Sequence, residues 1–247
     1  MPESDKLPDI QRGSHARPPL LSVIIPTLNE EENLLATLGP LLNTPDQEII
    51  VADGGSTDTT VSLAETAGAK VLESRQGRGA QMNTAARAAA GDILLFLHAD
   101  TRVPAGYATM IRQTLARPGV SGGAFALDIA DPGRALRVIA RTATWRSRYL
   151  QLPYGDQGLF MTADTFHAVG EYPEIPIMED FALVGKLRKR GRIITLPTPI
   201  ITSNRRWQQR GTLTVTVLNQ LMVTGYLLGF SPASLAILYR NSSRLKF

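Results

Sequence analysis

Residues 91–100 read Gly-Asp-Ile-Leu-Leu-Phe-Leu-His-Ala-Asp, an unbroken run of large apolar side chains that stops abruptly at a histidine and an aspartate. Such a run has no polar face to offer water, so as a strand it must be covered on both sides, the situation of parallel strands in α/β sheets. Open α/β sheets gather ligands at the carboxyl ends of their strands. Residues two apart on a strand share a face, so His98 and Asp100 are expected to reach one cation or one phosphate-bound metal together. The alternative is a core strand that simply runs into a polar turn.

The residues before this run repeat the pattern. Leu20–Pro26 is a second apolar strand, closed by proline and the turn Thr27-Leu28-Asn29-Glu30, and leucines at 34, 35, 38, 41 and 42 give helical spacing over 31–42. Glu48–Asp53 reads as a strand, Gly54-Gly55-Ser56-Thr57-Asp58 as a turn that opens a helix through Ala67, and Lys70–Glu73 as a short strand. Gln81–Ala90 is an alanine-rich helix closed by Gly91, with Gln81 and Asn83 expected on its surface. Four strands separated by three helices call for parallel pairing through right-handed crossovers. Thr27–Glu30, Asp53–Gly55 and His98–Asp100 then fall on one edge of the sheet.

A chain of 247 residues that is 43% hydrophobic is sized for one domain with appendages. The absence of cysteine excludes disulfides, thiolate catalysis, zinc ribbons and iron–sulfur ligation, and suits a reducing compartment. The formal charge of +4 is modest, but the bases concentrate late, at Arg134 to Arg148, Lys186 to Arg192, and Arg205, Arg206 and Arg210. That clustering suits a diphosphate or an anionic surface, and with no aromatic-interleaved basic stripe or helix-turn-helix pattern no nucleic-acid partner is expected. Residues 1–19 are polar, proline-rich and lack an apolar core, so a disordered tail rather than a signal peptide is expected. Gly211–Tyr239 contains no Asp, Glu, Lys or Arg, yet Asn219, Gln220, Pro232 and four threonines dilute its hydropathy. A helix, a break at Ser231-Pro232 and a shorter helix are expected there, lying on the core or in a membrane interface. The organisation that follows is a tail over 1–19, a catalytic domain over 20–210 and an apolar helical segment over 211–247.

Val23-Ile24-Ile25-Pro26-Thr27-Leu28-Asn29-Glu30, Val51-Ala52-Asp53-Gly54-Gly55-Ser56-Thr57-Asp58, Gly77-Arg78-Gly79-Ala80-Gln81-Met82-Asn83 and Leu97-His98-Ala99-Asp100 stand in order and at the right spacing. This set resembles glycosyltransferase family 2, the inverting nucleotide-sugar transferases of GT-A fold, over about residues 20–210. The resemblance implies an α/β, Rossmann-like, mostly parallel sheet flanked by helices, followed here by the C-terminal apolar helical segment. It implies that Asp53 hydrogen-bonds the nucleobase, usually uracil, although an Asx-turn role fits the same residue. Thr27 and Glu30 would line the nucleoside, with ordinary first-turn acids as the other reading of Glu30 to Glu32. Arg78 would lie near the diphosphate, or else be a solvated loop arginine. His98-Ala99-Asp100 takes the place of the family's Asp-x-Asp, so Asp100 would hold a divalent Mn or Mg that bridges the phosphates. His98 departs from that pattern and would ligate the metal, touch phosphate or pack.

Tyr154-Gly155-Asp156-Gln157 resembles the segment near the acceptor, placing Asp156 and Gln157 there. Met178-Glu179-Asp180-Phe181 opens a helix that ends at Arg188-Lys189-Arg190-Gly191; capping explains its acids, and the resemblance adds that Asp180 is the general base beside Glu179. Asn204-Arg205-Arg206-Trp207 resembles the Arg-Trp element of processive synthases without its preceding Gln-x-x, which speaks against polymer synthesis. It leaves Arg205, Arg206 and Trp207 as diphosphate or acceptor contacts. The implied activity is transfer of a sugar from a nucleoside-diphosphate donor, usually a UDP-sugar, to a hydroxyl, carboxylate or lipid phosphate with inversion, and the implied partners are that donor and a lipid or small-molecule acceptor. The uncharged stretch Gly211–Tyr239 with its arginine flanks adds the expectation of a lipid-linked acceptor, a polyprenyl phosphate or carotenoid, and of a peripheral contact at the cytoplasmic membrane face. A nucleotidyltransferase, or a weakly active relative serving as a binding or scaffold protein, are the other readings.

Overall fold

The computed structural model describes residues 17–130 and 133–242, so most of the expected tail and the last five residues lie outside the described residues. The first half follows the expected alternation: β1 (Leu21–Thr27), α1 (Leu34–Leu38), β2 (Gln47–Asp53), α2 (Thr60–Thr66), β3 (Lys70–Glu73), α3 (Arg78–Arg87) and β4 (Ile93–Phe96). These strands run parallel in the order β3-β2-β1-β4. Every residue of β1 and β4 is buried, because the sheet is covered on both faces. Val23 and Ile25 pack with Leu34, Leu38 and Ile111 on one side, whereas Ile24 packs with Met82, Ala85 and Leu183 on the other.

The second half turns the sheet mixed. It comprises β5 (Thr101–Arg102), α4 (Tyr107–Leu115), β6 (Val120–Ile129), α5 (Arg134–Leu150), a 3-10 turn at Gly155–Gln157, β7 (Leu159–Thr162), α6 (Ala163–Ala168), α7 (Glu179–Arg190) and β8 (Arg192–Thr202). The sheet order is β3-β2-β1-β4-β7-β6-β8-β5, with β7 antiparallel to β4 and β6, β6 parallel to β8, and β5 antiparallel to β8. Pro197 and Pro199 are tolerated in β8 because the register shifts opposite Phe125 and Ala126.

Three local expectations change. α1 closes after Leu38, so the leucine spacing to residue 42 continues only as turns. α3 starts at Arg78, and Gln81 and Asn83 are buried, not on its surface. The Gln81 amide donates to the carbonyls of Thr27 and Ala52 at 2.7 and 2.8 Å, tying together the ends of β1 and β2. Asn83 donates to the Tyr172 carbonyl and accepts from the Tyr172 amide. Finally β4 ends at Phe96, so His98–Asp100 form a turn closed by Thr101 N–H to His98 O, and strand parity does not set their side chains.

The last described elements are α8 (Arg205–Arg210), α9 (Thr212–Leu227) and α10 (Pro232–Ser242), and α9 and α10 follow the expected helix, break and shorter helix. No described helix is long and apolar enough to cross a membrane. Met222 of α9 and Leu235 of α10 are buried against Met178, just ahead of α7. Gly225 makes the crossing of the two helices possible, since a Cβ there would meet Leu235 at 2.7 Å.

Candidate active site

The strand ends form the floor of the site. Thr27 and Asp53 are register partners at the ends of β1 and β2. One oxygen of Asp53 accepts from the amides of Gly55 and Ser56 at 2.9 and 2.8 Å, the other from the hydroxyls of Ser56 and Thr27 at 2.5 and 3.1 Å. Burial pushes this carboxyl upward, yet those hydrogen bonds outweigh it and hold the pKa below the ordinary aspartate value. The loop after β1 is laced to this turn: Asn29 accepts from the Thr57 amide, its own N–H donates to Ser56, and the Glu30 N–H donates to Thr60. Asn29 takes a left-handed backbone, φ 54°, within this lacing.

Above the floor lie two adjoining cavities. One, of about 390 Å³, is strongly basic, with Arg78, Arg205, Arg206 and Arg210 around Pro26 and Glu30. The other, of about 200 Å³, combines Asp100, Asp156 and Asp180 with the rings of Tyr154, Phe181 and Trp207. Arg78, His98, Asp100, Arg206 and Tyr239 line both and form the wall between them. Across the basic cavity Arg205 donates to both carboxylate oxygens of Glu30, at 2.9 and 2.8 Å.

Asp180, in the first turn of α7, is aimed by backbone. Its Oδ2 accepts the Gly155 N–H at 2.8 Å and its Oδ1 the Phe181 N–H at 2.7 Å. Gly155 is wedged between two predicted site residues, because a Cβ there would lie 3.1 Å from His98 Nε2 and 3.3 Å from Asp180 Oδ2. Met178, directly before the acid pair, is left-handed at φ 72° and is locked there by its burial against Met222 and Leu235. The neighbouring Glu179 is 2% exposed and forms an ion pair with Arg78, Nε to Oε1 2.9 Å. Burial raises the Glu179 pKa, Arg78 opposes this, and Asp180 adds to the rise. The Glu179 carboxylate in turn raises the Arg78 pKa. Burial also raises the Asp156 carboxyl, and its Oδ1 is a buried oxygen without a hydrogen-bond partner among the described residues.

His98 is held neutral. Burial first, and then the field of Arg78 and Arg206, lower its pKa to about 3. A neutral imidazole keeps a lone pair for a metal. No group of three His, Cys, Asp or Glu able to hold a metal exists among the described residues. Mg²⁺ and similar ions need no such cage when substrate phosphates complete the shell, so Asp100 with His98 is a donor pair that fits a cation arriving with its nucleotide.

The geometry divides the predicted residues. Glu30, Arg78, His98, Asp100, Asp156, Asp180, Arg206 and Trp207 line the cavities. Thr27 and Asp53 do not, and lie in the laced turn beneath them. Gln157 is fully buried, its amide engaged by the Phe125 carbonyl, the Tyr154 N–H and Arg146, and it lines neither cavity. Glu179 reaches the site only through Arg78. Tyr154, Phe181 and Tyr239 line it without having been singled out for it, and Arg210 lines it from the late basic cluster expected to suit a diphosphate. Gly155 beside Asp156 pointed to Tyr154, but no spacing in the sequence points to Tyr239.

A profile of the family described as Glycosyl transferase family 2 matches residues 22–173, more than half of the chain. The chain belongs to glycosyl transferase family 2. A glucosyl-3-phosphoglycerate synthase of Mycolicibacterium smegmatis is 38% identical over 92 residues, 32% of this chain and 30% of that protein. The match thus spans about a third of either length. Among solved structures, a mannosyltransferase of Pyrobaculum calidifontis in complex with GDP-Man and Mn²⁺ superposes with a TM-score of 0.65 at 20% identity, covering 91% of this chain and 69% of that one. The glucosyl-3-phosphoglycerate synthase of Mycobacterium tuberculosis with Mn²⁺, UDP and glucosyl-3-phosphoglycerate gives 0.59 at 21% identity, covering 82% and 79%. These neighbours share the GT-A fold. The family 2 match ends before α7, so Asp180, the Arg205–Trp207 element and Tyr239 all lie beyond it.

Proposed function

We propose that this protein transfers a sugar from a nucleoside-diphosphate donor, a UDP-sugar first, to an acceptor hydroxyl with inversion at the anomeric carbon. One observation carries the reading: a basic cavity and an acid-bearing cavity meet at a wall made of Arg78, His98, Asp100, Arg206 and Tyr239. The diphosphate belongs on the basic side, where arginine side chains offer planar donor pairs to phosphate oxygens. The acceptor belongs beside Asp180. Its carboxylate, aimed by the Gly155 N–H, takes the hydroxyl proton as the acceptor oxygen attacks and the bond from the anomeric carbon to phosphate breaks. A divalent metal on Asp100 and His98 would supply charge stabilisation to the departing diphosphate. Asp156 is suited to hydrogen-bond the acceptor, since its buried Oδ1 has no hydrogen-bond partner among the described residues. The solved relative with UDP and Mn²⁺ supports a uridine donor, and the one with GDP-Man keeps guanosine in the screen.

The test is turnover of labelled UDP-glucose and GDP-mannose over a panel of acceptors. Asp180→Asn is expected to lower kcat by about 10²–10⁴, the usual worth of a positioned base. Asp100→Asn is expected to abolish metal stimulation. Unchanged transfer in both variants refutes the mechanism, and release of pyrophosphate instead of nucleoside diphosphate makes the protein a nucleotidyltransferase.

A second reading concerns the acceptor. Leu213, Val217, Leu221, Leu227, Leu228 and Phe230 of the C-terminal hairpin are each at least half exposed, and residues 181–247 contain no Asp or Glu. An exposed apolar face in an acid-free segment favours a lipid-linked acceptor at an anionic membrane surface. Flotation with phosphatidylglycerol liposomes is expected to carry the protein upward, and less so for Leu213→Ser with Phe230→Ser; a protein that never floats refutes this acceptor class.

A further inference from the structure

Of the five residues in the wall between the cavities, His98 and Asp100 come from the turn after β4, Arg78 from the start of α3 and Arg206 from α8, while Tyr239 reaches in from α10. Its placement is determined from several sides. The Arg210 guanidinium lies 5.5 Å from its ring centroid, and the ring packs on the cluster of Met178, Met222 and Leu235. Phe181 and Tyr226 of that same cluster meet edge to face at 5.6 Å. The cluster includes Met178, before the acid pair, and Phe181, after it, so α10 packs on the residues that flank Glu179 and Asp180. Tyr239 is also close enough to Arg78 to act on its charge.

We infer that Tyr239 is a positioning residue, whose ring closes the wall between donor and acceptor cavities and keeps water from the anomeric carbon of the bound donor. The inference rests on the transfer function proposed above and adds what decides transfer over hydrolysis. In hydrolysis a water oxygen bonds the anomeric carbon, the bond to phosphate breaks, the nucleoside diphosphate leaves and the water proton passes to Asp180. An aromatic ring at the junction occupies the space that water would need while leaving the acceptor approach from the Asp180 side open.

The experiment measures nucleoside diphosphate release from UDP-glucose or GDP-mannose with Mn²⁺ and no acceptor. Tyr239→Ala is expected to raise acceptor-free hydrolysis about tenfold, with the KM for donor changed less than threefold, and Tyr239→Phe to stay within threefold of the parent. Equal hydrolysis in the parent and Tyr239→Ala overturns the inference, as does Tyr239→Phe hydrolysing as fast as Tyr239→Ala. Tyr239→Val, which removes the ring but leaves an apolar side chain against the Met178 cluster, replaces Tyr239→Ala if that variant does not fold. A readout without turnover uses Trp145→Phe, which removes an exposed tryptophan of α5 and leaves Trp207, in the acceptor cavity, as sole tryptophan. In that background the Tyr239 variant is expected to raise acrylamide quenching of Trp207 about twofold, and unchanged quenching overturns the closed wall. If quenching rises while the parent turns over no nucleotide sugar, the proposed function fails and the wall stands.

Discussion

Replacing Asp53 by asparagine separates two roles that a family aspartate at a strand end can have, ligand to a nucleobase or anchor of its own turn. Four hydrogen bonds end on this carboxylate, two from amides and two from hydroxyls. In Asp53→Asn the new NH₂ turns toward the hydroxyls of Ser56 and Thr27, which rotate to accept, while the amide oxygen keeps the Gly55 and Ser56 N–H groups. What is lost is mainly charge assistance, about 1 kcal/mol for each of the four bonds, and because three of the four are only part-buried, water cuts that sum by about half. The expected cost is about 2 kcal/mol, or about 4–8 °C in Tm for a domain of this size. Asp53→Ala, which also leaves the two amides without their acceptor, is expected to cost about twice that.

The pH dependence has a definite sign. Because the folded pKa lies below the ordinary 3.8, the native state binds fewer protons than the unfolded chain there, and this stability is complete above about pH 4 and lost as pH falls through the folded value. The Tm gap between parent and Asp53→Asn should therefore be constant near neutrality and close in acid. Thermal unfolding across pH, with UDP binding by calorimetry at pH 7, measures both roles. An unchanged Tm at pH 7 together with a tenfold loss of UDP affinity refutes the anchoring reasoning and leaves Asp53 as a base ligand alone.

Gly155→Ala places a methyl 3.1 Å from His98 Nε2 and 3.3 Å from Asp180 Oδ2, so one of them must yield a few tenths of an ångström. We expect transfer to fall about tenfold with a Tm change under about 2 °C, and kcat equal to the parent's would mean that the aim of Asp180 is not critical. Gln81→Leu leaves the buried carbonyls of Thr27 and Ala52 without their donor and should cost about 2–4 kcal/mol in denaturant unfolding; a loss below 0.5 kcal/mol would show that the strand ends hold without it.

Local chemistry was enough to read much of the first half. Strands without a polar face can exist only in a doubly covered sheet, and the glycines and acids at their ends mark the edge where ligands collect. The same period of reading went wrong where a polar side chain has a distant partner: Gln81 and Asn83 look like helix surface until the β1 and β2 ends and Tyr172 are brought against them. Gln157, read as an acceptor contact, turns inward because Phe125 and Arg146 satisfy its amide from other elements.

The amino-acid sequence by itself determined the parallel α/β half-sheet, the acidic and glycine-rich strand ends and the membership in glycosyl transferase family 2, because burial, turn chemistry and motif spacing are properties of neighbouring residues. The tertiary structure alone decided that the Asp53 carboxylate is engaged by Gly55, Ser56 and Thr27, that Glu179 pairs with Arg78, and that His98 and Asp180 meet across Gly155. It alone brought Tyr239 to the wall between the cavities, more than a hundred residues after Asp100. Such contacts come from packing helices across a sheet, and no local period in a chain records which distant side chain closes them.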